Sequence, residues 1–239
     1  MGLQAAGIDI RPKKPPTSDQ LRFGKVLVSA SIDLILDVGA NAGAFAEDAR
    51  RSGYAGQIIS FEPLQDAHQR LEEEAKHDPL WQVAPRIALG KEEGEATLHV
   101  ASNSVSSSLL PMAEEHRSAS PDSTYIKEEK VPVRRLDDVA RELVPDIASR
   151  ASMLKIDTQG FELPILEGSK SLLAHTRIVQ LELSLTELYA GQALIWEVTE
   201  YLRRLDFELW MLAEVFVNEQ TGRLLQVDGL FVKKGAISG

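Results

Sequence analysis

The sequence predicts an α/β fold in which a mostly parallel sheet carries helices on both faces and ends in an antiparallel hairpin. Stretches typical of strands alternate with stretches typical of helices, which is the pattern of a parallel sheet. The first strand, Asp33–Val38, is apolar at nearly every position, as a central strand buried on both faces should be. The last two strand-like stretches flank a turn-forming segment, which indicates a closing hairpin.

The elements follow in chain order. Apolar residues at helical spacing predict six helices, at Asp19–Ser31, Ala44–Ser52, Leu64–Lys76, Leu136–Leu143 (capped by Asp137 or Asp138), Gly160–Leu166 and Trp196–Leu205. Apolar or alternating runs predict the strands Asp33–Val38, Gln57–Phe61, Trp81–Leu89, Gly94–Ala101, Val131–Arg134, Met153–Asp157 and Ile178–Leu183. Phe207–Val217 and Leu224–Val232 form the hairpin around Asn218–Gly222. Pro85 marks Trp81–Leu89 as an edge strand.

Residues 1–18 are rich in proline and lysine and are read as an N-terminal arm. Residues 19–239 are read as a single domain, since no repeat or second composition appears. Within that domain, residues 102–130 begin with a long polar stretch, which is typical of a functional loop or lid. We expect this segment to contact the substrate.

The charge and the amino-acid composition argue against several classes of protein. The net charge is −10, which argues against a protein that binds duplex DNA. The chain has no cysteine, so thiol catalysis and cysteine-based zinc sites are excluded, and a reducing cytoplasm is the expected location. No apolar run is long enough for a membrane span, and residues 2–18 lack the apolar core of a signal peptide.

A glycine turn between the first strand and the next helix predicts a cofactor site. Asp37 ends the strand, and Gly39 and Gly43 allow a tight turn that brings the backbone close to a ligand. Glu62 ends the second strand, about where Rossmann-like folds hold a ribose diol. Asn41 stands where a dinucleotide site needs its second glycine, and no P-loop lysine follows. This pattern favours S-adenosylmethionine, which carries a ribose without phosphates.

Acidic residues recur where predicted strands end. Asp37, Glu62, Asp157 and Glu182 all lie at or near the carboxyl end of a strand. In an open α/β sheet, ligands bind beyond these ends. We therefore expect the four side chains to surround one site.

Six short segments between about Asp33 and Val232 recur together in a known family: 37–43 (DVGANAG), 61–63 (FEP), 88–90 (ALG), Asn103 with 107–109 (SSL), 136–138 (LDD) and 154–162 (LKIDTQGFE). In these segments the sequence resembles the FkbM family of class I methyltransferases. The resemblance implies a seven-stranded Rossmann-like fold, S-adenosylmethionine as donor and a hydroxyl acceptor on a sugar, glycolipid or polyketide. Gln159 is a departure, because many members carry glutamate there.

The pattern and the resemblance together assign roles to individual residues. The predicted cofactor-binding residues are Asp37, Gly39, Ala40, Asn41, Gly43, Glu62, Pro63, Ala88 and Asp157. The predicted catalytic residues are Asp157, as a base that removes the hydroxyl proton, and Lys155 and Glu182, as its partners. The predicted substrate-binding residues are Asn103, Ser107 and Ser108. His99 and His116 are alternative bases. No metal is expected, although Asp157, Glu182 and Asp228 have oxygen ligands suited to Mg²⁺.

Three readings of function stay open. The favoured one is O-methylation of a small-molecule or glycan acceptor with a free hydroxyl. An N- or RNA-methyltransferase is second, weakened by the acidic charge and by the lack of an Asn/Asp-Pro-Pro-Tyr motif. A non-catalytic binding module that retains the fold is third. A homodimer is kept as an alternative to a monomer.

Overall fold

The computed structural model describes residues 16–237, so the predicted arm lies almost wholly outside the described residues. Ser18 already belongs to the first helix. The hydroxyl of Thr17 accepts a hydrogen bond from the backbone N–H of Gln20, whose side chain in turn accepts from the N–H of Thr17. This reciprocal pair satisfies two backbone donors that a helix start leaves unpaired.

Strands and helices alternate through most of the described chain. The helices are α1 (Ser18–Ser29), α2 (Ala44–Arg51), α3 (Gln65–Ala75), α4 (Glu114–Ala119), α5 (Leu136–Leu143), α6 (Glu162–Glu167), α7 (Lys170–His175) and α8 (Ile195–Arg204). The strands are β1 (Leu34–Val38), β2 (Gln57–Phe61), β3 (Trp81–Val83), β4 (Ala88–Leu89), β5 (Gly94–Ala101), β6 (Tyr125–Arg134), β7 (Ser152–Ile156), β8 (Ile178–Ser184), β9 (Phe207–Asn218) and β10 (Arg223–Lys233).

Seven strands form the main sheet in the order β3-β2-β1-β7-β8-β10-β9. The predicted mostly parallel sheet is confirmed, since β3, β2, β1, β7 and β8 run parallel and β10 is antiparallel to both β8 and β9. The chain moves outward from β1 in one direction to β3 and later returns to β1's other side with β7. That change of direction opens a crevice at the carboxyl ends of β1 and β7, where ligands bind in such sheets.

The predicted strand Trp81–Leu89 is wrong as a single element. Residues 81–83 form the edge strand β3, whereas residues 88–89 leave the main sheet and pair with β6 in a second sheet of order β4-β6-β5. Pro85 lies between them, and proline has no N–H to continue a sheet ladder. The predicted edge position is confirmed, since β3 is the first strand of the sheet, and the proline also marks a break that the sequence did not predict.

The long loop is shorter than predicted. Residues 125–130 belong to β6, which pairs antiparallel with β5, and residues 114–119 form α4. The strand was predicted to start only at Val131 because residues 126–130 alternate weakly and are rich in charge. Residues 102–113 of the predicted loop lie between β5 and α4 and belong to no helix or strand.

Asp137 does not cap its own helix, contrary to the prediction. It is buried, and its two carboxylate oxygens accept from the backbone N–H groups of Ser171 and Leu172, at 3.0 and 2.8 Å. It therefore caps α7, a helix that the sequence did not predict. The predicted helix from Gly160 starts two residues later, at Glu162.

The core fills both faces of the main sheet. Fully buried residues of β1, including Leu34, Ile35 and Leu36, belong to two hydrophobic clusters on opposite faces. This agrees with the continuous apolar pattern that predicted a central strand. None of the helices within residues 16–237 has the length and apolar character needed to cross a membrane.

Candidate functional site

A cavity of about 400 Å³ opens at the carboxyl ends of β1, β2, β7 and β8, beneath the segment 103–109. This size is within the range of small-molecule and cofactor sites. The predicted site residues that line it are Gly39, Asn41, Glu62, Pro63, Ala88, Asn103, Ser107, Ser108, Asp157 and Glu182. The predicted residues outside its lining are Asp37, Ala40, Gly43 and Lys155.

The glycine turn after β1 packs directly on the neighbouring strand end. Gly39 has φ +74°, and a Cβ added to it would lie 1.7 Å from the backbone oxygen of Asp157. Gly43 has φ +96°, and its Cβ would meet the indole of Trp81 at 2.5 Å. Both glycines are therefore required by backbone conformation and by close packing, whatever ligand the turn holds.

We expect Gly39→Ala to destabilise the protein by about 3 kcal/mol or more, because the methyl group overlaps a backbone oxygen that cannot move without displacing β7. Gly53→Ala is the matched control. Gly53 also has a positive φ, of +95°, but nothing lies within 4 Å of its added Cβ, so only the conformational cost of about 1 kcal/mol remains. Urea unfolding of both variants measures the difference, and equal losses would contradict the packing argument.

Glu62 joins the turn to the cavity. It is 6% exposed, and its oxygens accept from the backbone N–H groups of Asn41 and Leu64, both at 2.7 Å. Burial raises the pKa of Glu62 to about 7, although these two hydrogen bonds and Lys155 oppose the shift. Each carboxylate oxygen has a second lone pair. Glu62 can therefore accept hydrogen bonds from a diol while it holds the turn.

Asp37 and Lys155 form a buried ion pair beneath the turn. Lys155 Nζ lies 3.2 Å from an Asp37 oxygen and 3.6 Å from Asp157, and it donates to the Gly39 carbonyl at 3.2 Å. The other Asp37 oxygen accepts from Ser60 at 3.0 Å. Burial alone would lower the pKa of Lys155, but the charges of Asp37 and Asp157 outweigh it and raise that pKa. The pair therefore supports the turn from below.

Asp157 and Glu182 meet at the cavity floor. Gln159 donates from Nε2 to Asp157 at 3.0 Å and to Glu182 at 2.6 Å. Gln226 also donates to Glu182, at 3.3 Å. Burial raises the pKa of Glu182 well above its ordinary value, and the negative charges of Asp157 and other acids add to this. Asp157 is the more exposed of the two, and the cation of Lys155 lies beside it.

A further buried acid, Glu162, shapes the loop after β7. One of its oxygens accepts from the N–H and hydroxyl of Thr158, at 3.1 and 3.2 Å, and from the N–H of Gly160 at 3.1 Å. Burial raises the pKa of Glu162 to about 7, against the effect of these hydrogen bonds. Glu162 is thus a loop-forming residue behind the cavity wall.

These shifts predict that the protein loses stability as the pH rises. The unfolded chain releases the Glu162 proton near the ordinary glutamate pKa of 4.5, whereas burial in the folded chain raises this pKa to about 7. The folded state therefore binds more protons in this interval, and stability falls from pH 5 to 7.5. Glu162→Gln should reduce that fall by about 2 kcal/mol, measured by urea unfolding at both pH values. Glu95→Gln, at an exposed position, is the control, and an unchanged fall in Glu162→Gln would contradict the assignment.

One wall of the cavity is apolar. Its side chains include Ala88, Leu89, Leu98, Leu109, Phe161 and Ile165. Phe161 follows the loop that carries Asp157, and Ala88 and Leu89 form β4, so the wall lies between the two sheets. A flat aromatic base fits against such a surface, because its burial releases water from both faces.

The polar segment over the cavity is held by its own hydroxyl groups. The hydroxyl of Ser108 donates to the Gln159 carbonyl at 2.7 Å, and that of Ser107 accepts from the Ala101 N–H at 3.0 Å. Asn103 donates to Ser106 and Ser123, at 3.0 and 2.8 Å. The predicted substrate-binding residues therefore border the cavity, and their hydrogen bonds tie the segment to Ala101, Ser123 and Gln159 as well as to itself.

The two candidate histidines lie in different places. His116, on α4, is buried, lines the cavity and has a pKa lowered by burial. Its Nε2 is 3.2 Å from the hydroxyl of Tyr189. His99 is outside the cavity lining, where it stacks on Tyr125 and pairs with Glu128 at 3.2 Å.

The residues fit S-adenosylmethionine better than a metal ion. A buried carboxylate with unused lone pairs and an apolar wall together match a ribose-bearing, phosphate-free cofactor. Within residues 16–237, no group of three or more histidine or acidic side chains is arranged to hold a metal. Asp157, Glu182 and Asp228 therefore do not form such a group.

The comparisons with known proteins agree with this geometry. A family model described as the methyltransferase FkbM domain matches residues 37–209, well over half of the chain. The chain belongs to this family. The family and the Rossmann-like fold implied by the resemblance are thereby confirmed. No curated protein sequence gives a significant match.

Solved structures share the fold at low identity. FkbM from Methylobacillus flagellatus is 14% identical with a TM-score of 0.50, over 83% of this chain and 43% of that protein. The chain thus spans less than half the length of that relative. An uncharacterized protein from Listeria monocytogenes is 9% identical with a TM-score of 0.50, over 93% and 70% of the two chains. An rRNA methylase from Streptococcus thermophilus is 10% identical with a TM-score of 0.46, over 93% of this chain and 98% of that protein.

Sequence reasoning missed two residues that organise this FkbM-family site. Tyr189 is fully buried and donates to Gln159 Oε1 at 2.9 Å. In the sequence, Glu162 stands only as the last residue of the segment 154–162 and receives no role, although its three hydrogen bonds shape the loop. Tyr189 gave no signal in the sequence, because its role depends on contacts between distant segments. Glu162 could have been found from its position two residues after a glycine at a helix start.

Proposed function

We propose that the protein is an S-adenosylmethionine-dependent O-methyltransferase that acts on a hydroxyl of a sugar, glycolipid or polyketide-type acceptor. The observation that carries this proposal is that Glu62 and Asp157 line one cavity, just beyond the ends of β2 and β7, the two strands that flank β1. A cytoplasmic location and a small-molecule or glycan partner belong to the same proposal.

The cofactor end of the cavity is formed by the glycine turn, Glu62 and the apolar wall. Glu62 would accept hydrogen bonds from two ribose hydroxyls, and the wall at Ala88 and Phe161 would cover the adenine. Gly39 lines the same end. Asp37 and Lys155 support this end from beneath, so we assign them a positioning role in place of direct contact.

Asp157 is assigned as the general base. Bound S-adenosylmethionine supplies an electrophilic methyl group on a positively charged sulfur. Asp157 would accept the hydroxyl proton of the acceptor as the new C–O bond forms and the S–C bond breaks. A positioned base contributes roughly 10²- to 10⁴-fold to such a step. Lys155, whose Nζ lies 3.6 Å from an Asp157 oxygen, would hold this carboxylate in place.

The charge of the cavity supports a hydroxyl acceptor over RNA. Three carboxyl groups, those of Glu62, Asp157 and Glu182, line it, and no lysine or arginine within residues 16–237 does. A nucleic-acid site needs cations for the phosphates. A non-catalytic module is disfavoured because the crevice is open and the predicted acids reach it.

The test is methyl transfer from S-adenosylmethionine labelled with tritium on its methyl group. A panel of methyl glycosides, hydroxylated macrolides and glycolipids is compared with a panel of amines and short RNAs of matched size. We expect label in at least one hydroxyl compound, as a base-stable ether. Transfer only to amines or RNA would contradict the O-methyl assignment, and transfer to none while S-adenosylhomocysteine fails to bind would contradict the cofactor assignment.

A further inference from the structure

Gln159 is the position at which the sequence departs from the motif that it resembles, and the proposed mechanism leaves it without a role. It lies between the two carboxyl groups at the cavity floor. Its Nε2 donates to Asp157 Oδ1 at 3.0 Å and to Glu182 Oε2 at 2.6 Å. A side-chain amide has two N–H donors on that nitrogen. Both are committed to the pair.

The opposite end of the amide is committed as well. Gln159 Oε1 accepts from the hydroxyl of Tyr189 at 2.9 Å. The backbone of Gln159 is fixed too, since its carbonyl accepts from Ser108 at 2.7 Å and its φ is +56°. Donors thus face the two acids and the acceptor faces a hydroxyl, which defines one orientation of the amide.

A glutamate could not make the same contacts without an added proton. Its oxygen would stand 2.6 Å from a Glu182 oxygen, where two acceptors repel each other. The surroundings already hold several charges. Those facing Asp157 and Glu182 are Lys155 on β7, Asp228 on β10 and Glu162 on α6, with the phenol of Tyr189 beyond the amide.

We infer that Gln159 is a positioning residue that ties Asp157 to Glu182 and, as a neutral double donor, stabilises the ionised form of Asp157. The catalytic consequence of this tie rests on the proposed function, whereas the tie itself does not. Removing the amide should raise the proton affinity of both acids. Removing a donor to Glu182 alone should affect that acid more than Asp157.

The test is a carboxyl ¹³C NMR titration of protein labelled at aspartate and glutamate, without cofactor or acceptor. Gln159→Leu should move the Asp157 midpoint upward by about one pH unit or more, because an N–H donor that favours the charged form is lost. Gln226→Leu is the matched control. Gln226 also donates to Glu182, at 3.3 Å, but has no hydrogen bond to Asp157, so the Glu182 signal should move more than the Asp157 signal.

An Asp157 midpoint unchanged in folded Gln159→Leu would overturn the inference, as would an equal shift in Gln226→Leu. If Gln159→Leu does not fold, hydrogen exchange in the wild-type protein tests the tie between the two acids instead. Its Gln159 side-chain amide protons should exchange slowly with solvent, and exchange at the rate of an exposed glutamine would overturn the tie. Failure of the wild type to bind S-adenosylhomocysteine would reject the proposed function and leave this titration to stand independently.

Discussion

Replacing Glu62 with alanine is expected to weaken S-adenosylhomocysteine binding about 100-fold, which corresponds to about 2.7 kcal/mol. The substitution removes the acceptor for the ribose diol. It also leaves the backbone N–H groups of Asn41 and Leu64 without the partner that each has at 2.7 Å, so the turn itself loses its support. Isothermal titration with the purified variant measures the change.

Glu129→Ala is the matched control for that experiment. Glu129 also accepts from a backbone N–H, that of Gln65 at 3.1 Å, but it is outside the cavity lining. Its removal should leave the affinity within a factor of about two, well below the 1.4 kcal/mol that a tenfold change requires. Comparable losses in the two variants would mean that the effect is not specific to Glu62 and would contradict its role in holding the ribose.

Asp157→Asn is expected to lower turnover about 1,000-fold while S-adenosylhomocysteine binds within a few-fold of the wild type. Asparagine keeps the shape of the side chain but cannot take the acceptor proton, and a positioned base supplies roughly this factor. Single-turnover methyl transfer, measured with whichever acceptor the panel identifies, reports the chemical step apart from binding.

Two readouts separate this role from a structural one. The pH profile of the wild type should lose activity at low pH as Asp157 is protonated, and this limb should disappear in Asp157→Asn. Asp228→Asn serves as the control, since Asp228 lies near the pair on β10 but outside the cavity lining. Loss of cofactor affinity in Asp157→Asn as large as in Glu62→Ala would contradict the separate roles.

The strand ends could be read from the sequence, but the direction of each side chain could not. Glu62 follows the last residue of β2 and Asp157 follows the last residue of β7, so both project beyond the sheet. Asp37 is inside β1, with Ser60 and Lys155 as its register partners, and it stays within the packed sheet. A difference of one residue in the strand boundary decides between these outcomes, and boundaries are not fixed to that accuracy by apolar pattern.

The parts that escaped prediction depend on contacts between distant residues. Trp196 and Trp210 are 60% and 50% exposed, although tryptophan is a residue that a sequence pattern assigns to the core. Trp210 lies on β9, the strand at the end of the main sheet. The pattern of apolar and polar residues does not reveal that β9 is an edge strand. Tyr189 reaches Gln159 across 30 residues, and no local propensity encodes that meeting.

A crystal structure of the protein with S-adenosylhomocysteine tests the central claim most directly. We predict the adenosine in the cavity between β1, β2 and β7, with both ribose hydroxyls on Glu62 and the sulfur facing Asp157. A ligand bound elsewhere, or a ribose directed away from Glu62, would contradict the account.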